Sequence, residues 1–405
     1  MPTFSEARRT ILDHVSTTGI ERVSLIDAIG RTLAEDMTAP WNMPPWDNSA
    51  MDGFAVRAGD CQAPQTLLKV TGYIPAGAIA TSAVEAGCAI RIMTGAPIPP
   101  GADAVVPVEE TEEDADSVKI LEPVKARQHI RFAGEDIKTG DRVLAAGTAI
   151  TPSAINMLAS LGTALLPVFR RVRVAIVSTG DELVELGGQI GKGQIINSNA
   201  LSLAAAVKEI GGEPVIVGIA RDNRESHLHI LQQGLQADVL ITSAGVSAGD
   251  RDLVREILTE LGAEQLFWKV DIKPGRPTAF AMKANTPIFS LPGNPVSSMI
   301  TFEELVKPAL LKMMGRKQVI APLFKATLTE EIRKKPGRLH FLRVALERGK
   351  DGYLASSSGN QETGIVKTMI QADGLAMLPP DKALFAAGEQ VDVHILNQDF
   401  LLEEA

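Results

Sequence analysis

Between Arg171 and Gly315, apolar runs of five to eight residues alternate with stretches whose apolar positions recur at helical spacing. The runs "RVRVAIVS", "EPVIVGIA" and "ADVLITS" are nearly continuous in hydrophobic residues, the pattern of strands buried on both faces. Helical patterns lie near Asn199 to Ile210, near Glu225 to Leu235 and in "RDLVREILTELG". Two further strands, "TAFAMKA" and "TPIFSLPG", precede a long helix from about Pro295 to Met314. Strand, loop and helix in repeated order predict a three-layer α/β domain, residues 169–317, around a mostly parallel sheet.

The flanking segments have a different texture. Phe4, Ala7, Ile11 and Val15 share one helical face, and Ser24 with Asp27 three positions on has the look of a cap that starts a second helix. "APWNMPPWDNSAMDG" breaks the pattern with three prolines, and from Leu67 to Val143 short strands and turns follow. Helical spacing returns in "TPSAINMLASLG", where Pro152 suits a first helical position and Gly162 a stop. These signals predict a helical domain made of residues 1–45 and 140–168, interrupted by a β-rich domain at 46–139. After Gly315 the strand-and-turn pattern resumes, giving a small β domain at 318–405. No repeat of solenoid period is present.

Composition narrows the function. A chain of 405 residues needs more than one core, and a net charge of −9 without any Lys/Arg block argues against binding a nucleic-acid backbone. No apolar run is long enough for a membrane span, and charged residues break up the first helix, so the expectation is no membrane and a cytoplasmic location. Cys61 and Cys88 have neither the number nor the spacing of a disulfide framework or a zinc cluster. His227 and His229 are two apart on a helix and point to different faces, and no G-x-S-x-G elbow occurs.

Chemistry concentrates where strands end. "STGDEL", "RDNRE", "AGVSAGDRD", "KPGRP" and "LPGNPVSS" each follow an apolar run, and in a parallel sheet ligands bind beyond the carboxyl ends of the strands. Any one of them also reads as an ordinary capped turn; five together suggest a site. Gly245 to Gly249 suits a phosphate cradle, Ser247 and Ser297 offer hydroxyls, and Lys273 with Arg276 can neutralise an oxyanion. Asp222, Asp250 and Asp252 would repel that anion unless a hard divalent cation bridged them, which points to magnesium. In the β-rich segment, Asn48, Ser49 and Asp52 in "DNSAMDGFAVR", and Arg131, Glu135 and Asp136 in "RFAGEDIKTGD", form either anchoring turns or a second polar group. Thr94 by itself reads as structural.

Taken in order, "NSAMDGFAV", "RIMTGAPIPPGADAVV", "GEDI" with Gly140, "STGDEL", "GVSAGDRD", "KPGRP" and "LPGNPVS" resemble the molybdopterin molybdenumtransferase family, MoeA, related to the E domains of plant and animal molybdenum-cofactor synthases. The resemblance covers nearly the whole chain. It implies an elongated homodimer of four-domain subunits ending in a β-barrel, with the β-rich domain facing the α/β domain of the other subunit. The implied reaction inserts molybdate into adenylylated molybdopterin with release of AMP, assisted by Mg2+. Contacts with molybdopterin adenylyltransferase and with downstream cofactor-maturation proteins follow from the same resemblance.

Carried over by position, catalytic roles fall on Asp52, Asp136, Asp222, Asp252 and Lys273, and metal binding on Asp222, Asp252 and Glu182. Substrate contacts fall on Thr94, Arg131, Thr179, Gly180, Glu182, Gly245, Ser247, Lys269, Arg276, Pro292, Asn294, Pro295, Ser297, Arg343 and Thr363. The chain departs from the family pattern at Ala244, where Gly is usual, at Arg276, where Lys is common, and at Thr363, which replaces Ser. Molybdopterin adenylyltransfer and a non-catalytic dimeric scaffold are the competing functions, and tungstate competes with molybdate as the oxyanion.

Overall fold

The computed structural model describes residues 1–244, 253–350 and 352–402. The chain divides into two compact units, one of residues 1–34, 147–151 and 165–405, the other of residues 35–146 and 152–164.

In the first unit six strands form a mixed sheet: β1 (Arg173–Thr179), β2 (Glu213–Ala220), β3 (Val239–Ser243), β4 (Glu264–Phe267), β5 (Ala279–Lys283) and β6 (Thr286–Leu291). Their order is β2-β1-β3-β6-β5-β4. The pairings among β2, β1, β3 and β6 are parallel, and β5 and β4 are added antiparallel at one edge. Alternation along β1 explains why it is hydrophobic throughout. Val174 and Ile176 enter a core with helices α1 (Phe4–His14) and α2 (Ser198–Glu209), whereas Ala175 and Val177 enter one with α3 (Arg224–Gly234) and α4 (Leu253–Glu260). The sheet is therefore the middle of three layers.

The long helix after β6 is broken into Pro295–Thr301, a π-helical turn at Phe302–Val306, and Lys307–Met313. Pro308 lacks the N–H that a regular helix would donate to Glu304, and the wide turn precedes it. That turn puts Glu304 in the interior, only 3% exposed. Its Oε2 accepts from Arg8 Nη2 of α1 at 2.8 Å and its Oε1 meets His394 Nδ1 at 2.7 Å, tying the first helix to the last strand.

Five strands close a barrel: β7 (Leu323–Leu328), β8 (Leu339–Gly349), β9 (Gly352–Ser357), β10 (Gly374–Leu378) and β11 (Gln390–Ile395). The ring runs β8-β9-β7-β11-β10 and returns to β8. A short strand, Ile272–Lys273, pairs in parallel with the start of β8, so that Lys273 lies opposite His340.

The second unit is built on a six-stranded sheet in the order Ala104–Pro107, Gly53–Val56, Cys88–Ile92, Thr66–Ile74, Ser117–Ile120, Thr111–Asp114. Both of its faces are covered, because Phe54 and Val56 enter one hydrophobic cluster and Ala55 the other. The helix Pro152–Ser160 belongs to this unit, and Gly162 after it has φ 70°.

One expected helix is absent. Ser24 Oγ accepts from Asp27 N and donates to the Asp27 carboxylate, but this is not a cap: the 3-10 turn that follows, Ile26–Ala28, has Leu25 at its N-cap, and Ile20–Ser24 before it is a strand paired with Leu165–Phe169. Ile26 and Ile29 are exposed and Gly30 turns to φ 71°, so no apolar face exists to hold a longer helix. The N-terminal segment is thus less helical than its pattern predicts.

The Arg8–Glu304–His394 link is testable. Arg8→Ala leaves a buried carboxylate without its guanidinium, and urea unfolding followed by circular dichroism should show a loss of about 3 kcal/mol.

Candidate functional site

Strand order reverses at β1, whose neighbours β2 and β3 lie on opposite sides, so the chain leaves a crevice beyond their carboxyl ends. A cleft of about 740 Å³ occupies that place. Thr179, Gly180, Glu182, Asp222, Pro292, Asn294 and Pro295 all line it, as do Ser178, Asn197, Asn199, Ser243, Ala244 and Pro277. Loops that are distant in sequence are gathered by one sheet edge.

Local bonds hold these loops. Gly180 N donates to Ala220 O at 3.1 Å, extending the β1–β2 ladder by one step. Arg221 Nη1 then donates to the carbonyls of Gly180, Asp181 and Leu183 at 3.0–3.3 Å. Asp181 and Asp222 each accept the other's backbone N–H, at 3.2 and 3.4 Å. Gly180 has φ 133°, and a Cβ there would lie 2.2 Å from Glu182 Oε2, so the carboxylate folds over a bare α-carbon.

The opposite wall comes from β6 and the loop after it. Ala244 N donates to Leu291 O at 3.1 Å, and Ala244 takes φ 74°, a left-handed conformation that its methyl group disfavours. Its Cβ stands 3.0 Å from where one on Gly293 would be, so Ala244 leaves room only for a glycine at 293. Gly245, Ser247, Asp250 and Asp252 lie outside the described residues.

Two asparagines that sequence reading passed over complete the cleft. Asn197, at the N-cap of α2, makes no side-chain cap; its Oδ1 accepts from Ser178 Oγ at 2.8 Å, and its Nδ2 is buried without a partner. Asn199 Nδ2 donates to Ser243 Oγ at 2.9 Å and to Gly293 O at 2.8 Å, leaving Oδ1 buried and unpartnered. A buried polar atom without a partner costs about 1–3 kcal/mol, a burden concentrated at ligand sites. The only sequence signal was the polar "NSN" ahead of an amphipathic helix.

The cationic residues stand elsewhere in the same unit. Lys273 and Arg276 are exposed and Lys269 is half-buried; of the "KPGRP" loop, Pro277 lines the cleft. Gly275 packs so tightly that a Cβ would meet the Thr301 methyl at 2.3 Å, which fixes that loop on the helix carrying Ser297. Ser297 is buried and does not line the cleft. Arg343 is also buried; its Nη2 donates to the carbonyls of Asn360 and Glu362 at 3.0 and 3.3 Å, next to half-buried Thr363. His340, beside Lys273, is held down to a pKa of about 4 by burial first, then by Lys273, Lys334 and Arg343. Its imidazole is neutral at pH 7.

In the second unit, Asp52 Oδ1 accepts from both Thr94 N and Thr94 Oγ1, at 2.7 and 2.8 Å, and these bonds hold its carboxyl below the usual range. Arg131 pairs with Asn48 in a two-residue ladder, and Asp136 N donates to Met43 O at 3.2 Å. Backbone bonds Ala50 N to His129 O and Gly95 N to Ser49 O tie the segments of Asp52, Thr94 and Arg131 together.

Residues 2–162 match the family described as MoeA N-terminal region (domain I and II), 175–312 the probable molybdopterin binding domain, and 325–396 the MoeA C-terminal region (domain IV). The chain is 38% identical over 402 residues to molybdopterin molybdenumtransferase of Haemophilus influenzae, covering 98% of this chain and 99% of that one. It is 36% identical over 404 residues to the protein of that name in Staphylococcus aureus, covering 98% and 96%. The crystal structure of a molybdopterin biosynthesis moeA protein from Pyrococcus horikoshii superposes with a TM-score of 0.86 at 32% identity, over 97% of this chain and 98% of that one.

Two outcomes follow from this geometry. Ala244→Gly relieves the left-handed strain and should raise stability by about 1 kcal/mol in urea unfolding. For His340, the folded pKa of about 4 lies below the unfolded value of 6.5, so between those values the unfolded chain binds more protons and stability falls as pH drops. His340→Gln should remove about 2 kcal/mol of that acid-side loss, read from unfolding free energies at pH 7 and pH 4.5.

Proposed function

The chain belongs to the MoeA family of molybdopterin molybdenumtransferases, and we propose that it transfers molybdenum from molybdate to adenylylated molybdopterin, releasing AMP. Its place is molybdenum cofactor biosynthesis. The observation that carries the finer reading is the cleft at the strand-order reversal, which joins two carboxylates, several small residues and unpartnered amide groups.

A substrate joining a pterin dithiolene to a nucleotide through a pyrophosphate needs a long cleft and backbone that approaches phosphate. Gly293 supplies backbone without a side chain there, and Leu183, Ile195 and Ile196 supply apolar surface for a ring. Glu182 and Asp222 are the described carboxylates that would hold magnesium, with Asp252 as the third. One or two carboxylates with substrate phosphates and waters are a normal magnesium shell, and no cluster of three such ligands occurs among the described residues. Magnesium would neutralise charge on the pyrophosphate.

Lys273, Arg276 and Arg343, with the hydroxyls of Ser297 and Thr363, are the cations and donors for the molybdate dianion. In the reaction a molybdate oxygen attacks the α-phosphorus as the bridging P–O bond of the pyrophosphate breaks, so that AMP departs with that oxygen and the pterin phosphate keeps the bridging one. Molybdenum passes to the dithiolene sulfurs of the substrate, whose protons leave with a second molybdate oxygen as water. Because those sulfurs belong to the substrate, no protein thiolate is required. Cys61 suits this, since burial and then Asp60 and Asp103 push its thiol up to about 11. With the protein acting as a homodimer in the cytoplasm, Asp52, Thr94, Arg131 and Asp136 of one subunit serve the substrate bound by the α/β domain of the other. Among the described residues no helix is long and apolar enough to cross a membrane.

Incubating the purified chain with adenylylated molybdopterin should release AMP only when molybdate is added, and chelation with EDTA should stop it. Asp222→Ala and Asp252→Ala should each lower the rate by roughly 100-fold with the melting temperature unchanged. Adenylylated pterin accumulating from molybdopterin and ATP would instead identify an adenylyltransferase.

A further inference from the structure

Asn197 and Asn199 are anchored by the sheet itself. Ser178 and Ser243, which each bind one asparagine, are register partners on the parallel strands β1 and β3, so their spacing is that of adjacent strands, about 4.8 Å. Each carboxamide grips a serine with one end. The end of Asn197 left over is a donor, Nδ2, and the end of Asn199 left over is an acceptor, Oδ1. Asn197 is 4% exposed, and neither free atom has a partner among the described side chains and backbone.

One donor and one acceptor, each anchored to a serine on a neighbouring strand, select for a complementary edge. An anion fits poorly, because the free carbonyl oxygen of Asn199 would repel it although the start of α2 would attract it. A group with a ring nitrogen beside an exocyclic amino group satisfies both atoms at once, as an asparagine does when it reads adenine. Leu183, Ile196 and Pro292 in the same lining give the ring apolar surface to lie against.

We infer that Asn197 and Asn199 form a specificity wall that reads a heteroaromatic amidine edge, with Asn197 Nδ2 donating to the ring nitrogen and Asn199 Oδ1 accepting from the amino group. The inference rests on the cleft being the substrate site. Two parts of the proposed substrate carry that edge, the adenine of the nucleotide and the aminopyrimidine side of the pterin. Hypoxanthine and lumazine are their counterparts with oxygen in place of the amino group.

Calorimetric titration of the full chain with AMP, IMP, 6-hydroxymethylpterin and 6-hydroxymethyllumazine tests it. The amino member of one pair should bind roughly 10-fold tighter than its oxo member. Preference for AMP assigns the wall to adenine, and preference for the pterin assigns it to the pterin. Asn197→Asp keeps the acceptor for Ser178 Oγ and sits favourably at a helix start, yet replaces the free donor with an acceptor, so it should erase that preference without lowering the melting temperature. Asn199→Ala should also erase the preference by removing the acceptor, with some loss of melting temperature because the bonds to Ser243 and Gly293 go with it. Equal binding within both pairs, no binding of any of the four compounds, or a preference that survives both substitutions overturns the inference. Molybdate-dependent AMP release, measured on the same preparation, reports separately on the proposed function.

Discussion

Parallel pairing on both sides of β1 is the constraint from which the rest of the structure follows. Because β2 and β3 run alongside β1 in one direction, their carboxyl ends must emerge at one edge, and every loop leaving them is delivered to the same crevice. Hydrogen bonds just past the strand ends, Gly180 N to Ala220 O and Ala244 N to Leu291 O, carry the ladder into those loops. The walls of the cleft are in this sense continuations of the sheet, which is why single side chains on them, Asn197 and Asn199 among them, can be placed against particular serines.

Charge is segregated within a chain that is acidic overall. Glu182 and Asp222 stand at the cleft, whereas Lys273, Lys334 and Arg343 crowd around His340 where the α/β domain meets the barrel. A histidine among three cations and out of water gives up its proton, and the result is a neutral ring in a positive field. Such a field suits an oxyanion, and net charge by itself contained no trace of it.

The hydrophobic runs were legible because a strand buried on both faces has no freedom to be polar, as in β1, β3 and β6; β2 also lies where its run predicted, but as an edge strand it leaves Val215 and Ile216 exposed, so that run overstated its burial. Signals that depend on partners were less so. Ser24 and Asp27 bonded to each other without capping the turn that follows, and the residues after them had no core to face. Pro308 disturbed a helix that periodicity read as continuous, and the resulting π turn was needed to bring Glu304 to Arg8 and His394. Among site residues, the glycines, prolines and acids of the strand-end loops were visible by type. Asn197 and Asn199 were not, since asparagine ahead of a helix ordinarily caps it, and only the bonds to Ser178 and Ser243 show that these two do something else.

Alone, the order of residues determined the succession of strands and helices, the edge of the sheet at which a ligand must sit, and a motif series specific enough to name a family. Those depend on local periodicity and on which residue types tolerate tight turns, and both can be read along one dimension. Tertiary structure decided which ends of which side chains remain unpaired, how His340 loses its proton, and that Lys273 lies beside a barrel strand. Each of these is a matter of burial and neighbours brought together across long stretches of chain, and desolvation and Coulomb energies depend on distances in space that no spacing in sequence contains.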